Sequence, residues 1–187
     1  MFIQTETTPN PSTLKFIPGR VVMSSGTAHF ENNESAVNSP FALRLFKVDG
    51  VKGVFFGSDF ITITKQDSYT WEVLKPVLLG AIMEHYSSDE KIISKSEKNT
   101  KLSDHNQAQD SEIVKQIKDL IETRVRPAVA MDGGDIVFDS FKKGIVYLHM
   151  QGSCAGCPSS TATLKSGIEN MLKHYIPEVT EVKASGE

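Results

Sequence analysis

The sequence predicts an α+β protein made of two small α+β domains joined by a flexible linker. Apolar residues recur at strand spacing and at helix spacing in two stretches, residues 1–86 and 111–187. Between them, residues 87–110 contain no Phe, Trp or Tyr and are dominated by Ser, Lys, Asp, Glu, Asn and Gln. Such a composition cannot bury enough apolar surface to offset the conformational entropy of the chain, so it predicts a solvated tether. A length of 187 residues suits two domains of this size.

Charge and hydropathy limit the classes of partner. The net charge is −3 at pH 7, so the chain carries no strong basic field that would hold nucleic acid or anionic lipid. Its most apolar run, Val77–Met83, is far shorter than the ~20 residues that a membrane-spanning helix needs. The first residues lack the features of a secretion signal and of a transit peptide. We therefore expect an intracellular protein that binds neither nucleic acid nor membrane.

The N-terminal domain, residues 1–86, is predicted from alternating and helical patterns. Strands are expected over Phe2–Thr7, Thr13–Ile17, Thr27–Phe30 and in a hairpin at 51–65, and helices from Pro40 and over Trp71–Tyr86. Ser39 would cap the first helix, with Pro40 as its first residue. Pro76 lies inside the second helical pattern, so that helix either bends there or begins near Lys75. This half of the sequence gives no chemical signal of function.

The C-terminal domain, residues 111–187, is predicted to have the element order α-β-β-α-β. Helices are expected from Ser111 and from Pro158, and strands over 136–141, 145–150 and 178–183. Pro127 would stop or bend the first helix. This order fits a three-stranded sheet with both helices on one face.

The chemistry of the chain is concentrated in one C-x-x-C pair. Cys154 and Cys157 are the only two cysteines, and Pro158 follows directly, where proline is favoured as the first residue of a helix. Cys157 would then be the N-cap. The free N–H groups and the positive end of the helix dipole would favour the thiolate form of both side chains. Thiolates bind metals and attack disulfides, so the pair is a candidate for either chemistry.

Three chemistries remain open for this pair. A dithiol redox site of the thioredoxin type suits a strand–CxxC–helix segment, but the order α-β-β-α-β is not a βαβ unit and the domain is small for that fold. A zinc or iron–sulfur centre needs four ligands, for which His149 and His174 are the only nearby additions. The simplest completion is a second copy of the chain. Two exposed loops facing each other across a twofold axis would supply four thiolates.

A second segment is expected next to the cysteine loop. If Phe141 pairs with Gly144, the hairpin register puts Asp135 opposite Met150, beside the loop. The glycines of this Asp-Gly-Gly-Asp turn permit close backbone approach, and their N–H groups could bind sulfur. Taken singly, each glycine is better explained by the change from helix to strand than by sulfur binding. The candidate residues around the thiols are Gly133, Gly134, Asp135, Gly152, Ser153 and Gly156.

Three segments resemble one family. Arg126–Phe138, RPAVAMDGGDIVF, and Leu148–Glu169, LHMQGSCAGCPSSTATLKSGIE, resemble the C-terminal domain of Nfu/NifU iron–sulfur scaffold proteins. Ile3–Gly19, IQTETTPNPSTLKFIPG, resembles their N-terminal domain. The resemblance implies a [4Fe–4S] cluster that bridges two protomers through Cys154 and Cys157, with [2Fe–2S] as a candidate intermediate. It also implies that the N-terminal domain modulates contacts with partners without binding the cluster.

The same resemblance sets the expected partners. It implies a non-enzymatic carrier that receives clusters from upstream donors and delivers them to apo iron–sulfur proteins. We expect a homodimer when the cluster is bound and a monomer without it, because two short loops make too small a contact for a stable interface. The mitochondrial members of the family carry a transit peptide, whereas the first residues of this sequence lack the features of one. The expected location is therefore the bacterial cytoplasm, or the mitochondrial matrix for a processed eukaryotic form. A thioredoxin-like dithiol oxidoreductase is the alternative.

Overall fold

The alternating apolar residues of the N-terminal half form a five-stranded sheet in the computed structural model, which describes residues 2–94, 112–156 and 158–185. The chain divides into two units, residues 1–97 and 98–187. In the first unit the strands are β1 Gln4–Thr7, β2 Thr13–Ile17, β3 Ala28–Phe30, β4 Val51–Phe56 and β5 Ile61–Lys65, and the helices are α1 Pro40–Phe46 and α2 Trp71–Ser87. The strand order is β1-β2-β5-β4-β3, with every neighbouring pair antiparallel. One apolar core joins the sheet to both helices.

Both helices of this unit begin where the sequence offers a start. The Ser39 side chain accepts a hydrogen bond from the Ala42 N–H at 3.1 Å, and Pro40 is the first residue of α1, as predicted. α2 begins at Trp71 and continues through Pro76, so the alternative start near Lys75 is wrong. Proline removes one backbone donor there, but the buried stripe of α2 that packs on the core continues on both sides of it.

The first part of the predicted linker is bound to the N-terminal unit. After α2 the chain turns back along α1, where Ser94 N–H donates to the Asn38 carbonyl at 2.9 Å. The Ser39 hydroxyl donates to the Ile92 carbonyl at 2.6 Å, and Ile92 packs on the apolar core. Residues 88–94 therefore differ from a free tether, because backbone hydrogen bonds and one aliphatic side chain hold them. The rest of the predicted linker lies outside the described residues.

The second unit has the predicted order α-β-β-α-β. Its elements are α3 Glu112–Leu120, a π-helical turn Ile121–Val125, α4 Arg126–Met131, β6 Gly134–Lys142, β7 Ile145–Gly152, α5 Pro158–Tyr175 and β8 Glu181–Ala184. The sheet order is β6-β7-β8. Apolar side chains of both helical segments and of all three strands share one core, which confirms a sheet covered by helices on one face. In the described part of the chain, no helix is long and apolar enough to cross a membrane.

Pro127 neither stops the first helix of this unit nor ends its hydrogen bonding. A π-helical turn precedes it, in which the Arg126 N–H donates to the Ile121 carbonyl. Proline cannot donate to the preceding turn and crowds it, and the wider π turn accommodates both effects. The helix then continues as α4 to Met131.

The predicted hairpin register is wrong by two residues at the turn, where Phe141 pairs with Val146, and by one residue beside the cysteine loop. The turn is formed by Lys143 and Gly144, whose φ angles of 52° and 82° are both positive, as a two-residue turn of this hand requires. A bulge between Phe138 and Ser140 then shifts the pairing again. As a result Asp135 lies opposite Gln151 rather than Met150.

The expectation that no βαβ unit surrounds the cysteines is also wrong. β7 and β8 are parallel neighbours joined by α5, which is a β-α-β crossover. The predicted element order is confirmed, but element order does not specify the direction of the last strand, which is parallel to β7. Element order alone therefore gives no argument against dithiol chemistry.

The N-terminal unit contains a buried histidine that predicts a pH dependence. His85 on α2 is 1% exposed and stacks on Phe41 with ring centroids 4.0 Å apart. Burial lowers the pKa of His85 below its ordinary value of 6.5; the Arg44 charge adds to this shift and Glu90 opposes it. The unfolded chain takes up a proton at the ordinary pKa, so the free energy of unfolding should decrease as the pH falls below about 6.5.

This effect can be measured with Trp71, the single tryptophan, whose indole N–H donates to the Pro11 carbonyl in the same unit. Chemical unfolding followed by Trp71 fluorescence between pH 5 and 8 should show the decrease in the wild-type protein. His85→Phe should flatten that part of the pH profile, because the group that titrates on unfolding is gone. An identical pH profile in the variant would contradict the assignment.

Candidate metal centre

The cysteine loop connects the end of β7 to the start of α5. β7 ends at Gly152, which has a φ of 61°, and a turn over 153–156 follows. The Cys154 N–H donates to the Gln151 carbonyl at 3.3 Å, and the Ala155 N–H donates to the Gly152 carbonyl at 3.2 Å. α5 begins at Pro158, as predicted. Cys157 lies outside the described residues.

The turn that follows α4 lies directly against this loop. The Ser153 hydroxyl donates to the Asp132 carbonyl at 2.6 Å, and the Ser153 N–H donates to the Gly133 carbonyl at 3.2 Å. Gly134 is also the pairing partner of Gly152 in the hairpin. The Asp-Gly-Gly-Asp turn and the cysteine loop are therefore joined by main-chain and side-chain hydrogen bonds, although the register that predicted their proximity was shifted.

Cys154 is buried, contrary to the exposed loop expected from sequence. Cys154 is 5% exposed and belongs to the apolar core of the unit. The space for its sulfur exists because Gly134 has no side chain: a Cβ there would lie 2.4 Å from the Cys154 Sγ and 2.9 Å from the Ser153 Oγ. Farther along the loop Ala155 is half-buried and Gly156, with a φ of 68°, is exposed.

An ion pair that sequence reasoning did not single out fastens this turn. The Arg126 guanidinium donates from Nε and Nη2 to the two carboxylate oxygens of Asp135, both at 2.8 Å. The Asp135 side chain is only 4% exposed, and its Oδ1 also accepts from the Ile136 N–H at 2.9 Å. The hydrogen bond to Asp135, more than any other contact, raises the pKa of Arg126 above its ordinary value. A two-pronged arginine–carboxylate contact of this kind is strong and geometrically specific.

A third contact orients the arginine from its own helix. Arg126 Nη1 donates to Glu122 Oε2 at 2.7 Å, one helical turn earlier, where Glu122 is largely exposed. The Arg-Pro-x₄-Asp-Gly-Gly-Asp spacing contains a signal for this pair, because a short glycine turn after the helix brings together two oppositely charged residues that lie nine positions apart. Hydrophobic periodicity does not detect this signal, because it assigns Arg126 only to a helix.

The two histidines that the sequence offers as additional ligands lie outside the cysteine loop, on β7 and α5. His149 is exposed on β7, opposite Val137, and His174 packs its ring edgewise against Tyr175 in the last turn of α5. Over residues 2–94, 112–156 and 158–185, no three His, Cys, Asp or Glu side chains group closely enough to hold a metal ion. The described residues thus contribute one thiol, that of Cys154, to the candidate site.

The fold and the loop define a two-unit α+β protein with a C-x-x-C segment between a strand and a helix, and comparison with known proteins identifies the family. Residues 3–89 match the model of the Nfu/NifU scaffold protein N-terminal domain, and residues 117–183 match that of the NifU-like domain. The chain belongs to the Nfu family of iron–sulfur cluster scaffold proteins.

Relatives with both halves support this membership. NifU-like protein 4, mitochondrial, from Arabidopsis thaliana is 53% identical over 189 residues, an alignment that covers 98% of this chain and 65% of that protein. The human NFU1 iron-sulfur cluster scaffold homolog, mitochondrial, is 47% identical over 184 residues, covering 98% of this chain and 71% of that protein. The chain thus spans about two thirds of the length of these relatives. Their names place both in mitochondria.

Among solved structures, the solution NMR structure of a NifU-like protein from Saccharomyces cerevisiae matches with a TM-score of 0.46 at 28% identity. The match covers 51% of this chain and 87% of that one.

The contact between Gly134 and Cys154 predicts a specific steric effect. Gly134→Ala should destabilise the C-terminal unit by about 1–3 kcal/mol, the usual cost of forcing extra volume into a packed site. It should also displace the Cys154 sulfur, so that iodoacetamide alkylates Cys154 faster in the cluster-free protein. Thermal unfolding and peptide mass spectrometry measure the two effects.

Gly167→Ala is the matched control for this substitution. Gly167 lies in α5 of the same unit, and a Cβ there would meet no atom within 4 Å. Alanine should therefore stabilise the helix by about 0.5–1 kcal/mol and leave Cys154 alkylation unchanged. Equal effects of the two substitutions would show that contact with the sulfur is not the cause.

Proposed function

We propose that this protein is a scaffold and carrier that assembles a [4Fe–4S] cluster between two copies of the chain and passes it to recipient apoproteins. The cluster is cargo rather than a resident cofactor. Cys154 and Cys157 of each copy supply the four thiolates. The observation that carries the proposal is the C-x-x-C loop of a member of the Nfu family, held against a turn that leaves room for the Cys154 sulfur.

The chemistry of the donors favours a shared cluster. Cubane clusters are held by four cysteine thiolates, and this chain has two cysteines in all. A second copy related by a twofold axis supplies an identical pair without any new type of residue. Cluster binding then exchanges the packing of Cys154 against Gly134 for a bond to iron. Gly152 and Gly156, both at positive φ, flank the segment that has to move.

Delivery follows from the same ligand set. A cluster held at the junction of two subunits by two thiolates from each is released by stepwise exchange for the cysteine thiolates of a recipient. This exchange leaves the scaffold unchanged and needs no catalytic residue in it. The N-terminal unit, joined through the linker, modulates contacts with donors and recipients and binds no cluster. The working compartment is the mitochondrial matrix for a eukaryotic form, as the names of the relatives favour, or the cytoplasm for a bacterial one.

Anaerobic reconstitution with iron and sulfide tests this function. The wild-type protein should turn brown and contain roughly four irons and four sulfides per two chains. Cys154→Ser and Cys157→Ser should each abolish the colour and retain less than about a tenth of the iron, because the loss of one ligand per chain removes two of the four. His149→Ala, at the exposed alternative ligand, should keep the full metal content.

Three results would contradict the proposal. A wild-type protein that stays colourless after anaerobic reconstitution would rule out a cluster carrier. Tight zinc in the purified protein, with unfolding on chelation, would indicate a structural metal clip. Catalysed disulfide reduction with a defined potential would indicate the dithiol oxidoreductase.

A further inference from the structure

We infer that Arg126 and Asp135 form a positioning pair for the cluster half-site: they fix the turn on which Cys154 rests and cancel each other's charge beside an anionic cluster. This inference rests on the proposed function and deepens it, because it assigns a role to two residues outside the C-x-x-C motif.

A continuous series of contacts connects the Arg126–Asp135 pair to Cys154. The two hydrogen bonds between Arg126 and Asp135 close a loop from α4 to the start of β6, with Gly133 and Gly134 inside it. The carbonyls of Asp132 and Gly133 within this loop then accept both hydrogen bonds from Ser153 described above. Ser153 directly precedes Cys154 in the chain. The ion pair therefore influences the position of the thiol through the Asp-Gly-Gly-Asp turn and Ser153.

The charge of Asp135 affects the cluster site because the carboxylate is buried and lies close to the Cys154 sulfur. Gly134 separates Asp135 from the sulfur, and a Gly134 Cβ would lie 2.4 Å from the Cys154 Sγ. One further backbone step of about 3.8 Å and the length of an aspartate side chain put the carboxylate within roughly 10 Å of that sulfur. A charge at this range in a protein interior is screened far less than it is in water. A cube ligated by four thiolates carries net negative charge, so an unpaired Asp135 would repel it.

Removing either partner should therefore have opposite electrostatic effects. Without Arg126, the buried Asp135 carboxylate keeps a negative charge near the cluster that Arg126 no longer balances, which disfavours adding an electron and lowers the reduction potential. Without the Asp135 charge, the Arg126 guanidinium keeps only its contact with the exposed Glu122, so its positive charge raises the potential. Both changes loosen the turn, so both should speed cluster release. A purely structural pair would give the same sign of potential shift, or none, in both variants.

The experiment compares Arg126→Gln, Asp135→Asn and the double variant in the full-length protein. The first should have a more negative cluster potential than the wild type, the second a more positive one, and the double variant a value close to the wild type. Cluster transfer to a chelator should accelerate about tenfold or more in each single variant, as is usual when the groups that orient metal ligands are lost. In the cluster-free protein, amide hydrogen exchange at Ser153 should also accelerate.

Arg126→Lys separates position from charge. Lysine keeps the positive charge but cannot form the two-pronged contact, so the potential should stay near that of the wild type while exchange at Ser153 accelerates. Glu122→Gln is the matched control. It removes the negative charge of the exposed third contact of Arg126 and should change transfer and exchange less than twofold.

The outcomes distinguish the inference from the proposed function. Potential shifts of the same sign in the two single variants would overturn the charge role, and unchanged exchange at Ser153 would overturn the positioning role. A wild-type protein that takes up no cluster would overturn the proposed function and the charge role together. The exchange measurement in the cluster-free protein would still decide whether the pair positions the loop.

Discussion

The absence of a side chain at Gly134 determines how the cysteine loop can fold, because the sulfur of Cys154 occupies the space that a Cβ would fill. The two hydrogen bonds between the loop and the turn depend on that approach. Ser153 can reach the carbonyls of Asp132 and Gly133 only while β6 and the loop stay this close. The Arg126–Asp135 pair in turn holds the end of the helix against the start of β6. The position of the Cys154 thiol thus depends on three features: the missing side chain of Gly134, the two hydrogen bonds of Ser153, and the Arg126–Asp135 ion pair.

The burial of Cys154 gives this arrangement a consequence for function. In the cluster-free chain the thiol packs in the apolar core of its unit, where a small apolar side chain is favourable. Ligation of iron shared with a second chain requires that packing to be given up. In the proposed function, Cys154 therefore leaves the core when it binds iron and returns to the core when the cluster is released.

Sequence patterns predicted the elements better than the contacts between them. Ser39 with Pro40, and Pro158 after the cysteines, marked helix starts correctly because capping and proline preferences act locally. The hairpin register failed because it depends on the two positive φ angles at Lys143 and Gly144 and on a bulge, and neither leaves a periodic signal. The Arg126–Asp135 pair was missed because it joins two elements across a turn. Proximity of the two glycine-containing segments was predictable, whereas the burial of Cys154 depended on side-chain packing.

The central claim is that one chain holds half of a cluster site. Native mass spectrometry of the anaerobically loaded protein tests this claim most directly, because it weighs cluster and subunits in the same ion. We predict an ion that contains two chains and one [4Fe–4S] cluster, together with ions of cluster-free single chains. A cluster-bound ion with the mass of one chain would contradict it, since the two cysteines of one chain would then hold the cluster without a partner.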